Sequence, residues 1–183
     1  TQDYIVDFQD KTYGRRIERL KKRRQKILVN ANKVIAVSHF MSMVAQKIGV
    51  HKNKIKVIYN SIDFIDEGAL KASEVAQIRN SFGGDKIIAT ACRLTPWKGV
   101  DGLIKIMPKL QEKFGKVVLL VLGDGPELAN LKNLAQELKV ENSVEFLGRV
   151  KHEKVSNYFA AADLFILNTN YEAMSHTLLE VMK

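Results

Sequence analysis

Ile87-Ile-Ala-Thr-Ala91, followed at once by Cys92-Arg-Leu-Thr-Pro-Trp-Lys-Gly-Val-Asp101, is the stretch on which the fold turns. The first segment reads as a strand, and the helix after the loop runs from about Gly99 to Phe114. The same alternation then repeats. Strand Val117–Leu122 precedes a helix over Glu127–Leu138, and strand Val144–Leu147 precedes a helix over Lys154–Ala161. Strand Leu164–Leu167 leads to a closing helix from Thr177. Apolar strands alternating with helices of 10–15 residues predict an α/β fold, with a Rossmann-like parallel sheet and helices on both faces. Ligands of such sheets bind at the carboxyl ends of the strands.

Upstream the pattern is less regular. Residues from about Lys11 to Ala31 read as a helix, with Ile17, Leu20, Ile27 and Leu28 at helical spacing. Lys33-Val-Ile-Ala-Val37 reads as a buried strand, ended by Ser38, a good N-cap for a helix to about Ile48. Lys56–Tyr59 reads as a short strand, Asn60–Asp63 as a break, and Asp66–Phe82 as a helix closed by Gly83-Gly84. The chain starts without Met and stops at Lys183 inside a helix. It is therefore expected to be a fragment, with the end of one domain over 1–62 and most of a second over 63–183.

Composition excludes several classes. With 46% hydrophobic residues and three prolines among 183, the chain reads as a globular α/β protein. Its apolar runs are too short to span a bilayer. Cys92 is the single cysteine, which excludes a disulfide framework and suits a reducing cytoplasm; no signal-peptide pattern is visible. No His/Cys cluster has zinc spacing. The net charge is +9, yet residues 1–60 hold 14 Lys/Arg against 4 Asp/Glu, so the whole excess lies in the first third. Its core is the run from Arg15-Arg16 to Lys26. Such a basic amphipathic helix suits anionic lipid, nucleic acid or plain solvent. Aromatic platforms for nucleic acid are lacking there; only Tyr13 is near.

The loops after the strands carry the polar groups. Arg93 offers a planar fork and Lys98 a mobile point charge, a pair suited to a diphosphate. Gly123-Asp-Gly-Pro126 reads as a tight strand-to-helix turn, not a Walker phosphate loop, because the lysine-bearing half is absent. Gly148-Arg149-Val150 exposes backbone that can read a flat base. Glu172-Ala-Met-Ser-His-Thr-Leu-Leu-Glu180 sets two carboxylates eight positions apart across the start of a helix, whose unpaired N–H groups favour an anion.

Taken in order, R-L-x3-K-G, G-D-G-P, F-L-G-R-V and E-x7-E resemble the nucleotide-binding half of the family 4 retaining glycosyltransferases of GT-B fold, over about residues 33–183. The resemblance implies a hexosyltransferase that moves a sugar, with retention, from a nucleoside diphosphate sugar to an acceptor hydroxyl. It implies that Arg93 and Lys98 bind the donor diphosphate and stabilise the leaving nucleotide. Glu180 would bind ribose and Glu172 the transferred sugar. Backbone N–H groups near His176 and Thr177 would meet the distal phosphate, Ser175 would also be donor-binding, and Gly148, Arg149 and Val150 would hold the base. No D-x-D motif is present, so no metal and no further cofactor are expected. The family's glycine-rich loop and acceptor-domain histidine would precede Thr1, and the 183-residue piece alone is expected to be inactive.

This sequence departs from the family at Cys92, where Gly is usual, and at Ala173-Met-Ser175, where Gly-Phe-Gly is usual. The second departure bears on donor-sugar identity. Trp97 reads as a half-buried packing residue. The expected partners are a nucleotide-sugar donor, a saccharide or lipid-linked acceptor, and an anionic membrane surface met by the 15–26 helix, with no nucleic acid. The expected role is cell-surface glycan or polysaccharide synthesis, at the cytoplasmic face of the membrane. The competing readings are a non-catalytic nucleic-acid or membrane-binding module and a GT-B-type epimerase.

Overall fold

The computed structural model describes residues 14–62, 70–83 and 86–183, with the backbone alone for 14–17. The start of the first expected helix, the Arg15-Arg16 side chains, Asp63, Asp66–Ala69 and Gly84 therefore lie outside the described residues or side chains. The chain divides into two compact units, residues 1–61 with Tyr171–Ser175, and residues 62–170 with His176–Lys183. Among the described residues no helix is long and apolar enough to cross a membrane.

In the first unit, α1 (Gly14–Asn30) is followed by β1 (Val34–Ala36), α2 (His39–Ile48) and β2 (Ile55–Val57). The two strands pair in parallel, with Val34 opposite Ile55 and Ala36 opposite Val57, so α2 is the crossover. Ser38 caps α2 as expected: its side-chain oxygen accepts from the Met41 N–H at 3.2 Å. The strand expected to be buried is only partly so. Ala36 is in the core but Ile35 is 65% exposed, because consecutive side chains leave a strand on opposite faces.

The second unit holds α3 (Ala72–Phe82), β3 (Lys86–Ala91), α4 (Val100–Phe114), β4 (Val117–Leu122) and α5 (Leu128–Glu137). After these come β5 (Val144–Gly148), α6 (His152–Ala161), β6 (Leu164–Phe165) and α7 (His176–Met182). Among the described residues its four strands are all parallel, in the order β5-β4-β3-β6. The α/β class and the parallel sheet read from the sequence are the ones observed.

Strand β4 shows why the sheet needs helices on both sides, since all six of its residues are buried. Val117, Leu119 and Val121 join Ile88, Leu103, Ile104, Met107 and Leu131 in a core under α4 and α5. Val118, Leu120 and Leu122 join Ile87 and Ala89 in the opposite core, against Phe82 of α3 and Val155 and Phe159 of α6. Each large aliphatic side chain so buried contributes roughly 1.5–3 kcal/mol before entropy is counted. Ion pairs among the described residues such as Lys105 to Asp101 at 2.7 Å lie on exposed side chains and contribute at most about 1 kcal/mol each. The burial on both faces is thus the larger contribution to holding the sheet. Pro108 lies inside α4, where its missing N–H leaves one turn unbonded.

Strand β6 is shorter than its apolar run. It pairs with β3 only at Leu164 and Phe165, with Ile166 N–H donating once more to the Ala89 carbonyl at 2.9 Å. The chain leaves the sheet at Leu167, because Asn168, Thr169 and Asn170 bond elsewhere.

Candidate functional site

Strand order reverses at β3: β4 and β5 lie on one side, β6 on the other. That switch point splays the connections apart and leaves a crevice at the carboxyl ends of the strands. A cavity of about 610 Å³ lies there. Its walls are the ends of β3 (Ala91, Cys92, Arg93) and β4 (Leu122, Gly123, Asp124, Gly125), the loop after β5 (Arg149, Val150), Val155 of α6, and Thr177 and Glu180 of α7. The size suits a ligand larger than a single nucleoside.

The floor is made by the loops after β3 and β4, which stay bonded beyond the sheet. Cys92 N–H donates to the Leu122 carbonyl at 3.0 Å, and Leu94 N–H to the Asp124 carbonyl at 3.0 Å. Leu94 itself is fully buried. So close an approach requires glycine opposite: a Cβ on Gly123 would lie 1.9 Å from the Cys92 oxygen, and one on Gly125 would lie 2.2 Å from the Leu94 oxygen. Gly123-Asp-Gly-Pro126 is thus a close-packing turn, as expected, and Pro126 precedes the helix, which begins at Leu128.

Of the residues singled out in the sequence, the fold brings Arg93, Arg149, Val150, Thr177 and Glu180 around this one cavity. Glu180 is the fifth residue of α7, more than a turn inside, and half-buried. Gly148 ends β5, and its carbonyl accepts from the Gly123 N–H at 2.7 Å. Lys98 ends a one-turn 3₁₀ segment, Pro96–Lys98, just before α4, and is not one of the wall residues. His176 opens α7 and is exposed. Glu172 and Ser175 group with the first unit, where the Met174 carbonyl accepts from Asn60 Nδ2 at 3.1 Å. Trp97 is half-buried, in keeping with packing.

Sequence reading missed Asp124 and Val155 as wall residues. Asp124 Oδ1 accepts from the Gly125 N–H at 2.7 Å, and its Oδ2 lies 3.9 Å from Arg149 Nε, a loose pair with the arginine side chain 89% exposed. That guanidinium is only weakly held and can turn to a ligand. Val155 has no motif to betray it; only the return of α6 across the sheet puts it there. Among the described residues no three His, Cys, Asp or Glu side chains gather as a metal set would.

Fold and cavity together define an open parallel α/β protein with a cavity at the switch point of its sheet. Residues 72–183, more than half the chain, match the family described as Glycosyl transferases group 1, and the chain belongs to that family. It is 30% identical over 152 residues to N-acetyl-alpha-D-glucosaminyl L-malate synthase of Bacillus anthracis, covering 81% of this chain and 38% of that protein. Identity to alpha-monoglucosyldiacylglycerol synthase of Streptococcus pneumoniae is 31% over 114 residues, 61% of this chain and 26% of that one. The crystal structure of Anabaena HepE in complex with UDP and glucose superposes with a TM-score of 0.78 at 26% identity, covering 91% of this chain and 47% of that one. The chain thus spans less than half the length of each.

Proposed function

We propose that this chain supplies the donor side of a hexosyltransferase that moves a sugar, with retention and without a metal, from a nucleoside diphosphate sugar to an acceptor hydroxyl. The observation that carries the reading is the cavity at the switch point, where Arg93, Arg149, Thr177 and Glu180 converge. HepE, a structural relative above 25% identity, is recorded with UDP and glucose, which supports the same ligand class here.

The chemistry follows from charge. When the bond from the anomeric carbon to the distal phosphate oxygen breaks, negative charge grows on the departing diphosphate. The Arg93 guanidinium and the Lys98 ammonium would stabilise it in place of a metal. The N–H groups at the start of α7, by Thr177, would meet the distal phosphate. Glu180 would accept from the ribose hydroxyls, the loop over Gly148, Arg149 and Val150 would hold the base, and Glu172 would contact the transferred sugar. Ser175 and His176 belong to the segment that sets donor preference.

We further propose that residues 1–62 belong to the acceptor domain and 63–183 to the donor domain. The acceptor is a saccharide or lipid-linked hydroxyl at the cytoplasmic membrane face, in cell-surface glycan synthesis. The basic α1 would draw the enzyme to anionic lipid, and the 183-residue piece alone would be inactive.

Isothermal titration of the full-length protein with UDP and GDP tests the site. Glu180→Ala and Arg93→Ala should each weaken the bound nucleotide at least about tenfold, the loss of a charge-assisted hydrogen bond. Equal affinity in the wild type and both variants would sink the assignment.

A further inference from the structure

The loop after β6 bonds to the turn that carries Lys98. Asn168 Nδ2 donates to the Gly99 carbonyl at 2.8 Å, Thr169 Oγ1 to the Trp97 carbonyl at 3.2 Å, and Asn170 N–H to the same Trp97 carbonyl at 2.8 Å. The carbonyls on both sides of Lys98 are therefore held by one loop. The chain is shaped to admit it. Gly99 sits at φ +63°, and a Cβ there would lie 2.1 Å from the Asn168 backbone oxygen. A Cβ on Gly102 would lie 2.8 Å from Asn168 Nδ2. Two glycines a turn apart leave room for one asparagine.

The turn needs such support. Pro96–Lys98 is a single 3₁₀ turn, with Lys98 N–H donating to the Thr95 carbonyl at 3.0 Å and Gly99 N–H to the Pro96 carbonyl at 3.3 Å. A 3₁₀ turn is held less firmly by its own bonds than an α-helix, and α4 adds one bond at its start, from the Gly102 N–H to the Gly99 carbonyl at 3.1 Å. A lysine is also a long, flexible point charge, so where its Cα stands decides what its ammonium can reach.

We infer that Asn168, assisted by Thr169, is a positioning residue that holds the Lys98-bearing turn in register for the donor diphosphate. Asn168 is not among the wall residues of the cavity. The inference rests on the donor-site reading above and adds a residue and a mode of action to it.

The test is titration of the full-length protein with UDP and GDP, and with UMP and GMP, which lack the outer phosphate. Asn168→Ala should weaken the diphosphate that binds wild type about tenfold, while the matching monophosphate changes less than about twofold, since one partly buried hydrogen bond is involved. In a Lys98→Ala background, Asn168→Ala should have no further effect, because the charge it positions is gone. Thr169→Ser should match wild type and Thr169→Val should lose diphosphate affinity in the same selective way. Should Asn168→Ala fail to fold by circular dichroism, the Thr169 pair carries the comparison.

Equal loss for mono- and diphosphate, or additive losses with Lys98→Ala, would reduce the loop to a structural brace and overturn the inference. So would wild-type affinity in a folded Asn168→Ala. If wild type binds neither diphosphate, the donor-site reading itself falls, and this inference with it.

Discussion

Gly123 shows how much one hydrogen atom in place of a side chain can decide. Its φ is +132°, and a Cβ would stand 1.9 Å from the backbone oxygen of Cys92, which cannot swing away as a side chain would. Gly123→Ala is expected to cost on the order of 3 kcal/mol and to deform the cavity floor. Gly148→Ala, at φ +65° with nothing within 4 Å, should cost only about 1–2 kcal/mol. Urea denaturation of both variants checks the order, and equal losses would count against a steric origin. The glycines were legible as a turn, but the reason for them was not: the backbone they approach belongs to a loop that precedes them by a whole helix and strand. Cys92, standing where the family has Gly, extends the ladder through its own N–H to Leu122 and packs its half-buried side chain against the core under α4.

At the scale of elements, α3 is held to the sheet by a polar clasp as well as by Phe82. Arg79 donates to the Ala161 carbonyl at 2.7 Å and pairs with Asp163 at 3.1 Å, while Asp163 Oδ2 accepts from the Ile87 N–H at 2.7 Å. Asn157, buried on α6, donates to Glu74 of α3 at 2.7 Å. The Ile87 N–H, and after it the Arg79 guanidinium, hold the Asp163 carboxyl below its ordinary range, against an opposing effect of burial. A carboxyl lowered on folding stabilises fully above its unfolded pKa, near about 4, and the stabilisation is lost as pH falls through the folded value. Asp163→Asn should therefore cost about 1 kcal/mol at pH 7, a modest figure because the pair is partly exposed, and progressively less as pH falls through the folded value. Chemical denaturation followed from pH 7 down through the acid range measures it; a deficit that never shrinks as the pH falls would mean the loss is not electrostatic. Most elements were legible to within a few residues from apolar runs and caps. The larger misses were α3, read from Asp66 although Leu70 and Lys71 precede a helix that begins at Ala72, and β6, read through Leu167, because apolarity marks what is buried and not what is hydrogen-bonded to a neighbour.

For the whole molecule, charge asymmetry is the property with a measurable consequence. The excess of positive charge in residues 1–60 is concentrated on α1, where Arg19, Lys22, Arg23 and Lys26 are exposed beside Leu20 at 56% and Ile27 at 58%. Sedimentation with anionic vesicles should retain the protein at low salt and release it at high salt. Neutral vesicles should not retain it, and each basic residue changed to Gln should weaken binding by about 1 kcal/mol. Retention that ignores lipid charge would refute an electrostatic anchor. The sequence by itself determined the α/β class, the parallel sheet and the family, because burial on both faces imprints apolar runs and the site's chemistry demands particular residues at loop positions. Only the tertiary structure decided the strand order β5-β4-β3-β6, and with it which loops meet. Crossovers leave no periodicity in the chain. The gathering of Arg93, Arg149, Thr177 and Glu180 around one cavity, and the grip of Asn168 on the Lys98 turn, are contacts between segments tens of residues apart.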